Sequence, residues 1–243
     1  MVTGPSPDYM DYALHVSPTR RYIYVVNPKV ACSSTIWTLR RLELGAPDLM
    51  PERVGVIHDR TGSPLLTWRE AQALPDFDPA EYLVFTFSRN PYDRILSCYL
   101  NKVARPTRYR TELQGLLGLG PDADISFDTF VDLVGRQDPA AMDPHWRPQT
   151  IVTMQDHLRF DSIGRFERFD ADLLAVGRRL DPEFGRYVYA EKRQATGAKP
   201  YDLLTPPIVD IINRVYDQDF KRFGYSRTLP SGAVANVPSY SAA

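Results

Sequence analysis

The chain has 243 residues, with 29 Lys+Arg against 30 Asp+Glu for a formal charge of -1, 43% hydrophobic residues and two cysteines. That length suits one large hydrophobic core, and ordinary charged and aromatic fractions of 24% and 12% exclude a disordered, collagenous or coiled-coil chain. Balanced charge argues against wholesale nucleic-acid binding, and Cys32 and Cys98 make no disulfide framework, so both read as reduced thiols.

In chain order, the first stretch, Met1 to Tyr12, carries Pro5, Asp8 and Asp11 in place of the basic start and apolar run of a secretory signal. No stretch approaches the roughly 20 apolar residues of a membrane span, so a cytoplasmic location is expected. The first strong element is the apolar, β-branched and aromatic run Arg21 to Asn27, which suits a buried strand. A loop follows at Pro28, then a helix from Ser33 to Leu44 with Ile36, Leu39 and Leu42 at helical spacing and Gly45 as its stop. Residues 50–79 read as a surface excursion holding one short helix, Thr67 to Leu74.

The strand–loop–helix order recurs at Glu81 to Ser88, Arg89-Asn90-Pro91 and a helix from Tyr92 to about Val103, with Asn90 as N-cap and Pro91 as first helical residue. Arg105 to Arg110, followed by Gly115, Gly118, Gly120 and Pro121, reads as a flexible basic connection. Ser126 caps a short helix through Val134, Asp161 to Phe166 is a strand, and Phe169, Leu173, Val176 and Leu180 form one helical face. A single last helix opens at Thr205-Pro206, buries Ile208, Ile212, Val215, Tyr216, Phe220 and Phe223, and ends at Gly224. Alternating strands and helices predict a single-domain α/β fold over residues 1–225, with a central, mainly parallel sheet flanked by helices, and a flexible tail over 226–243.

The loop Asn27 to Thr35 sits where a helix start offers unpaired N–H groups to an anion. Val30 and Ala31 leave its backbone approachable, Ser33, Ser34 and Thr35 can donate, and Lys29 brings a mobile positive charge. The same residues also suit a plain helix entry, because the glycines and Lys-Ser/Thr pair of a Walker loop are absent. In the second unit Arg89 closes a strand and Ser97 falls two helical turns after Asn90, on the face of the cap. Two such loops imply a ligand with two anionic ends.

Four segments in order, Pro28 to Ser34, Arg89 to Ser97, Phe160 to Glu167 and Tyr216 to Tyr225, together resemble the carbohydrate sulfotransferase family, in the branch with the chondroitin and dermatan sulfotransferases and their bacterial relatives. The resemblance implies a P-loop-like nucleotide-binding core and 3'-phosphoadenosine 5'-phosphosulfate as sulfuryl donor. It places Lys29, Val30, Ala31, Cys32, Ser33, Ser34 and Thr35 around the 5'-phosphosulfate, and Arg89 and Ser97 on the 3'-phosphate. Lys29 would neutralise the leaving phosphate oxygen. His145, in a His-Trp pair that the family often carries, is the candidate base for the acceptor hydroxyl. Glu52, Asp59 and Glu70 stand as alternative bases because the excursion may border the acceptor site. No metal is expected, since the transferred group is less charged than a phosphoryl group and no cluster has zinc-ligand spacing.

His15, His58 and His157 fall outside the motifs and read as structural or surface residues, and Trp37 as core. Arg193 and Lys199 are fixed by no motif. The acceptor implied is a hydroxyl-bearing carbohydrate, glycolipid or small molecule; a P-loop-type kinase acting with ATP and a non-catalytic nucleotide-binding module are the competing readings.

Overall fold

The computed structural model describes residues 5–51, 57–189 and 200–229. Its elements run α1 (Pro7–Ala13), β1 (Leu14–Ser17), β2 (Tyr22–Val25), α2 (Cys32–Leu44), α3 (Trp68–Gln72), β3 (Leu83–Ser88), α4 (Pro91–Cys98), α5 (Arg108–Leu117), α6 (Phe127–Arg136), α7 (Gln149–Val152), β4 (Ser162–Arg165), α8 (Phe169–Gly177), α9 (Pro206–Val215) and α10 (Asp217–Phe223). The fold is α/β. The described residues group into two compact units, one within 1–89 and 149–189 and the other within 90–148 and 200–229. Most of the expected tail, from residue 230 on, lies outside the described residues, as do Glu52, Arg193 and Lys199.

The first unit holds the whole sheet, in the order β1-β2-β3-β4. β2–β3 and β3–β4 pair in parallel and β1 joins antiparallel at the edge, so the sheet is mixed and mostly parallel. β2 is buried throughout because both faces are covered, which is why its sequence is apolar without alternation. On one face Tyr22, Tyr24, Phe85 and Phe87 pack with Ile36 and Leu39 of α2 and Leu173 and Val176 of α8. On the other, Ile23, Val25 and Val84 pack with Ala13 and Ala71. Gly164 is required where β4 passes Phe87, since a Cβ there would stand 2.5 Å from the ring. The sequence pattern gives no sign of α1 or β1. Each is short, and α1 rests on a local cap in which Ser6 accepts from the Tyr9 N–H at 3.2 Å.

His15 of β1 is buried and accepts a hydrogen bond at Nδ1 from Arg60 Nη1 at 2.6 Å, so its imidazole is neutral. Burial, followed by the Arg60 charge, holds its pKa well below the ordinary histidine value. A neutral buried histidine favours the folded state only while the unfolded chain is also neutral. As pH falls below about 6.5 the unfolded state takes up a proton that the folded state refuses, and stability drops by up to about 1.4 kcal/mol per pH unit. Melting curves between pH 7.5 and 5 should show this decline, and His15→Gln, which accepts the same bond without titrating, should flatten it. Equal slopes for the two proteins would remove His15 from the account.

The second unit is helical, with Leu96, Phe130, Trp146, Ile212 and Phe220 in its core. The connection expected to be flexible is instead α5. Thr107 accepts from the Arg110 N–H, Tyr109 and Leu113 are buried on one face, and Gly118 ends the helix in a left-handed turn. Basic residues and glycines hid an amphipathic helix whose apolar positions are few. The single last helix is also corrected. It is divided at Tyr216, whose backbone (φ −104°, ψ 24°) leaves helical geometry while its hydroxyl donates to the Trp146 carbonyl at 2.6 Å. Thr205 stands at the N-cap of α9 but makes no side-chain cap bond.

Candidate active site

The turn between β2 and α2 is built on two residues that glycine would fit more easily. Lys29 (φ 70°) and Ala31 (φ 53°) are both left-handed, a conformation that costs roughly 1–2 kcal/mol per residue and that concentrates at functional sites. Ala31 is the N-cap of α2 and supplies no side-chain acceptor. The first intrahelical bond runs from the Thr35 N–H to the Ala31 carbonyl at 3.0 Å. The N–H groups of Cys32, Ser33 and Ser34 therefore precede the helical ladder and point out of the helix start, the arrangement that receives an anion. Val30 is buried in the core beneath, while Cys32 and Ser33 are half-buried. Ser34 and Thr35 are buried, and the Thr35 hydroxyl turns back to donate to Ala31 O at 3.1 Å, so Thr35 shapes the turn. Trp37 is core, as expected, with its indole N–H on Leu49 O at 3.0 Å.

Arg89, at the end of β3, reaches this turn. Its Nη1 donates to the Lys29 carbonyl at 2.9 Å, and its guanidinium lies 4.1 Å from the centre of the Phe166 ring. Three of the four sequence motifs thus meet in the first unit. Lys29 is half-buried, and its strained backbone is held by a cation from the neighbouring strand.

The 50–79 excursion also returns to the loop. His58 Nε2 stands 3.1 Å from Ser33 Oγ and 3.9 Å from Cys32 Sγ. Two arginines hold it there. Arg40 of α2 donates to the Asp59 carbonyl, and Arg60 donates through Nη2 to Leu14 O at 3.1 Å and Leu66 O at 2.8 Å. Glu70 is occupied in the capping box of α3 with Thr67.

In the second unit, Asn90 caps α4 by accepting from the Tyr92 N–H at 3.0 Å, and Ser97 is half-buried in the last turn of that helix. His145 lies on a loop pinned at several points. The buried Arg94 donates to Pro144 O at 2.9 Å and Arg147 O at 2.8 Å, and the Trp146 indole donates to Gln137 at 2.9 Å. Asp143 accepts from His145 Nδ1 at 2.7 Å and from the His145 backbone N–H at 2.9 Å, and the Tyr109 ring meets the imidazole edge-on at 5.0 Å. Burial pushes the Asp143 carboxyl up, but the two bonds from His145 outweigh it and leave the carboxyl below the usual range. An ionised Asp143 fixes the tautomer with Nδ1–H, so the lone pair resides on Nε2. Among the described residues no group of three His, Cys, Asp or Glu is arranged to hold a metal, and no helix is long and apolar enough to cross a membrane.

A family model described as "Sulfotransferase family" matches residues 12–226. The chain belongs to the sulfotransferase family. It is similar to carbohydrate sulfotransferase 14 of Homo sapiens, 28% identical over 65% of this chain and 43% of that protein. It is also similar to carbohydrate sulfotransferase 14 of Danio rerio (27% identical, 86% of this chain, 61% of that protein) and carbohydrate sulfotransferase 11 of Danio rerio (26%, 90% and 68%). The chain thus spans less than half of the human relative's length. No solved structure gives a significant match.

Within this sulfotransferase-family chain, the first unit brings together the Lys29 to Thr35 loop and Arg89, and the second holds Ser97 and the Asp143–His145 pair. Two contributors are invisible to spacing: Phe166 under Arg89 and His58 beside Ser33. Each acts across at least 25 residues of sequence, and local pattern carries no signal for that.

Proposed function

We propose that the chain transfers a sulfuryl group from 3'-phosphoadenosine 5'-phosphosulfate to a hydroxyl of a carbohydrate or small glycoconjugate. The observation that carries this reading is the uncapped start of α2, bordered by Lys29 and with Arg89 bonded to the Lys29 carbonyl. The donor set fits the nucleotide. Outward N–H groups and Lys29 suit the 5'-phosphosulfate, Arg89 supplies a cation for the 3'-phosphate, and Ser97 is assigned to that phosphate by the resemblance alone. When bound, the nucleotide supplies a sulfuryl group whose bridging S–O bond breaks as the acceptor oxygen bonds to sulfur. Lys29 and the N–H groups of Cys32, Ser33 and Ser34 offset charge developing on the departing phosphate. His145 takes the acceptor proton at Nε2, and Asp143 stabilises the imidazolium formed. The names of the relatives support a carbohydrate acceptor.

A second reading of the base is favoured by His58, whose Nε2 lies beside the loop hydroxyl of Ser33.

The nucleotide assignment is tested by melting temperature. Adenosine 3',5'-bisphosphate at 100 times its Kd should raise stability by about 2.7 kcal/mol, a shift of roughly 5–11 °C for a chain of this size. ATP with magnesium should give no comparable shift. The reverse pattern would move the assignment to a kinase.

A further inference from the structure

Gln149 is fully buried and belongs to no part of the reaction described above. Its carboxamide is bonded to the backbone of Arg89 on both sides. Oε1 accepts from the Arg89 N–H at 2.9 Å, and Nε2 donates to the Arg89 carbonyl at 2.8 Å. This is the pairing that a neighbouring strand would give, supplied by one side chain at the point where β3 has run out of partners. The same Oε1 accepts from Asn27 Nδ2 at 3.0 Å, and that amide also donates to Phe87 O at 2.9 Å. Asn27 is itself buried and is the second residue before Lys29. Both of its N–H groups are used, which fixes its orientation.

The bonds form a closed circuit. Asn27 leads through Pro28 to Lys29, the Lys29 carbonyl accepts from the Arg89 guanidinium, the Arg89 backbone is held by Gln149, and Gln149 returns to Asn27. We infer that Gln149 is a positioning residue that fixes the spacing between the two anion-binding loops, and so selects a nucleotide carrying phosphates at both the 3' and 5' positions. The inference rests on the donor assignment made above. The N–H groups at the α2 start are set by the helix and hold the 5' group with Gln149 lost, and Gln149 reaches Lys29 only indirectly, through Asn27. Arg89 depends on Gln149 for its backbone position, so loss of Gln149 weakens the grip on the 3'-phosphate selectively.

The test is calorimetric titration of the full chain with adenosine 3',5'-bisphosphate and with adenosine 5'-monophosphate. The variants are Gln149→Leu, which keeps the shape and removes the three bonds described, and Gln149→Glu, which keeps both acceptor bonds and removes the donor to Arg89. Gln149→Leu should weaken bisphosphate binding by about tenfold or more and monophosphate binding by much less, erasing the preference between them. Gln149→Glu should fall between Gln149→Leu and the parent. In turnover, KM for the donor should rise while kcat holds, which a general loss of stability would not produce. If Gln149→Leu melts too low to study, the ratio of the two affinities in Gln149→Glu decides. A preference unchanged in the variants, or both ligands weakened in equal proportion, would overturn the role of Gln149. A parent protein that binds the monophosphate as tightly as the bisphosphate would overturn the donor assignment beneath it.

Discussion

Lys29→Ala should lower kcat by roughly 10²–10³ and leave the fold intact, the cost typical of losing one preorganised group that meets developing charge. The loss should fall on kcat and kcat/KM together, because charge on the bridging oxygen appears only as the S–O bond lengthens. Lys29→Gly makes the stronger case. At φ 70° the lysine pays a left-handed penalty of about 1 kcal/mol that glycine escapes, which offsets the greater freedom of glycine in the unfolded chain. That variant should melt within a degree or two of the parent and be equally inactive, separating the chemistry of the ammonium from the stability of the turn. The measurement is a sulfuryl-transfer assay beside a melting curve. Turnover within threefold of the parent in either variant would exclude Lys29 from the reacting centre.

The strained turn also shows what sequence reading can and cannot reach. Its placement between β2 and α2 is legible because an apolar β-branched run and an i, i+3 apolar pattern are local signals. The caps at Asn90 and Ser126 are local too, and both accept a backbone N–H of the first turn. The circuit that holds the turn is not local. Asn27 and Gln149 are 122 residues apart and Lys29 and Arg89 are 60 apart; the parallel pairing of β2 with β3 brings the second pair together, and α7 carries Gln149 to the first. His58 lies outside local pattern for the same reason. Its position depends on Arg40 and Arg60, whose backbone contacts lie outside any local pattern. The basic run of α5 reads as a connection because Gly115, Gly118 and Gly120 follow it, and its buried apolar residues, Tyr109 and Leu113, are too few to set a helical pattern.

His145→Ala should cost about 10²–10⁴ in kcat, the usual contribution of a positioned general base, while binding of adenosine 3',5'-bisphosphate stays at the parent value. The loop argues for this. Arg94, Trp146 and the Tyr216 hydroxyl pin the segment on both sides of His145, and Asp143 sets its tautomer, so the ring is held in one orientation before any acceptor arrives. Asp143→Asn should lower kcat less than His145→Ala, since an amide can still accept at Nδ1 but supplies no charge to the imidazolium. His58→Ala is the discriminating partner. Beside Ser33 it touches the donor loop, so its loss should raise KM for the donor several-fold and leave most of kcat. If instead His58→Ala abolishes turnover and His145→Ala retains it, the base belongs to the excursion, and the clamp formed by Arg40 and Arg60 is the device that positions it.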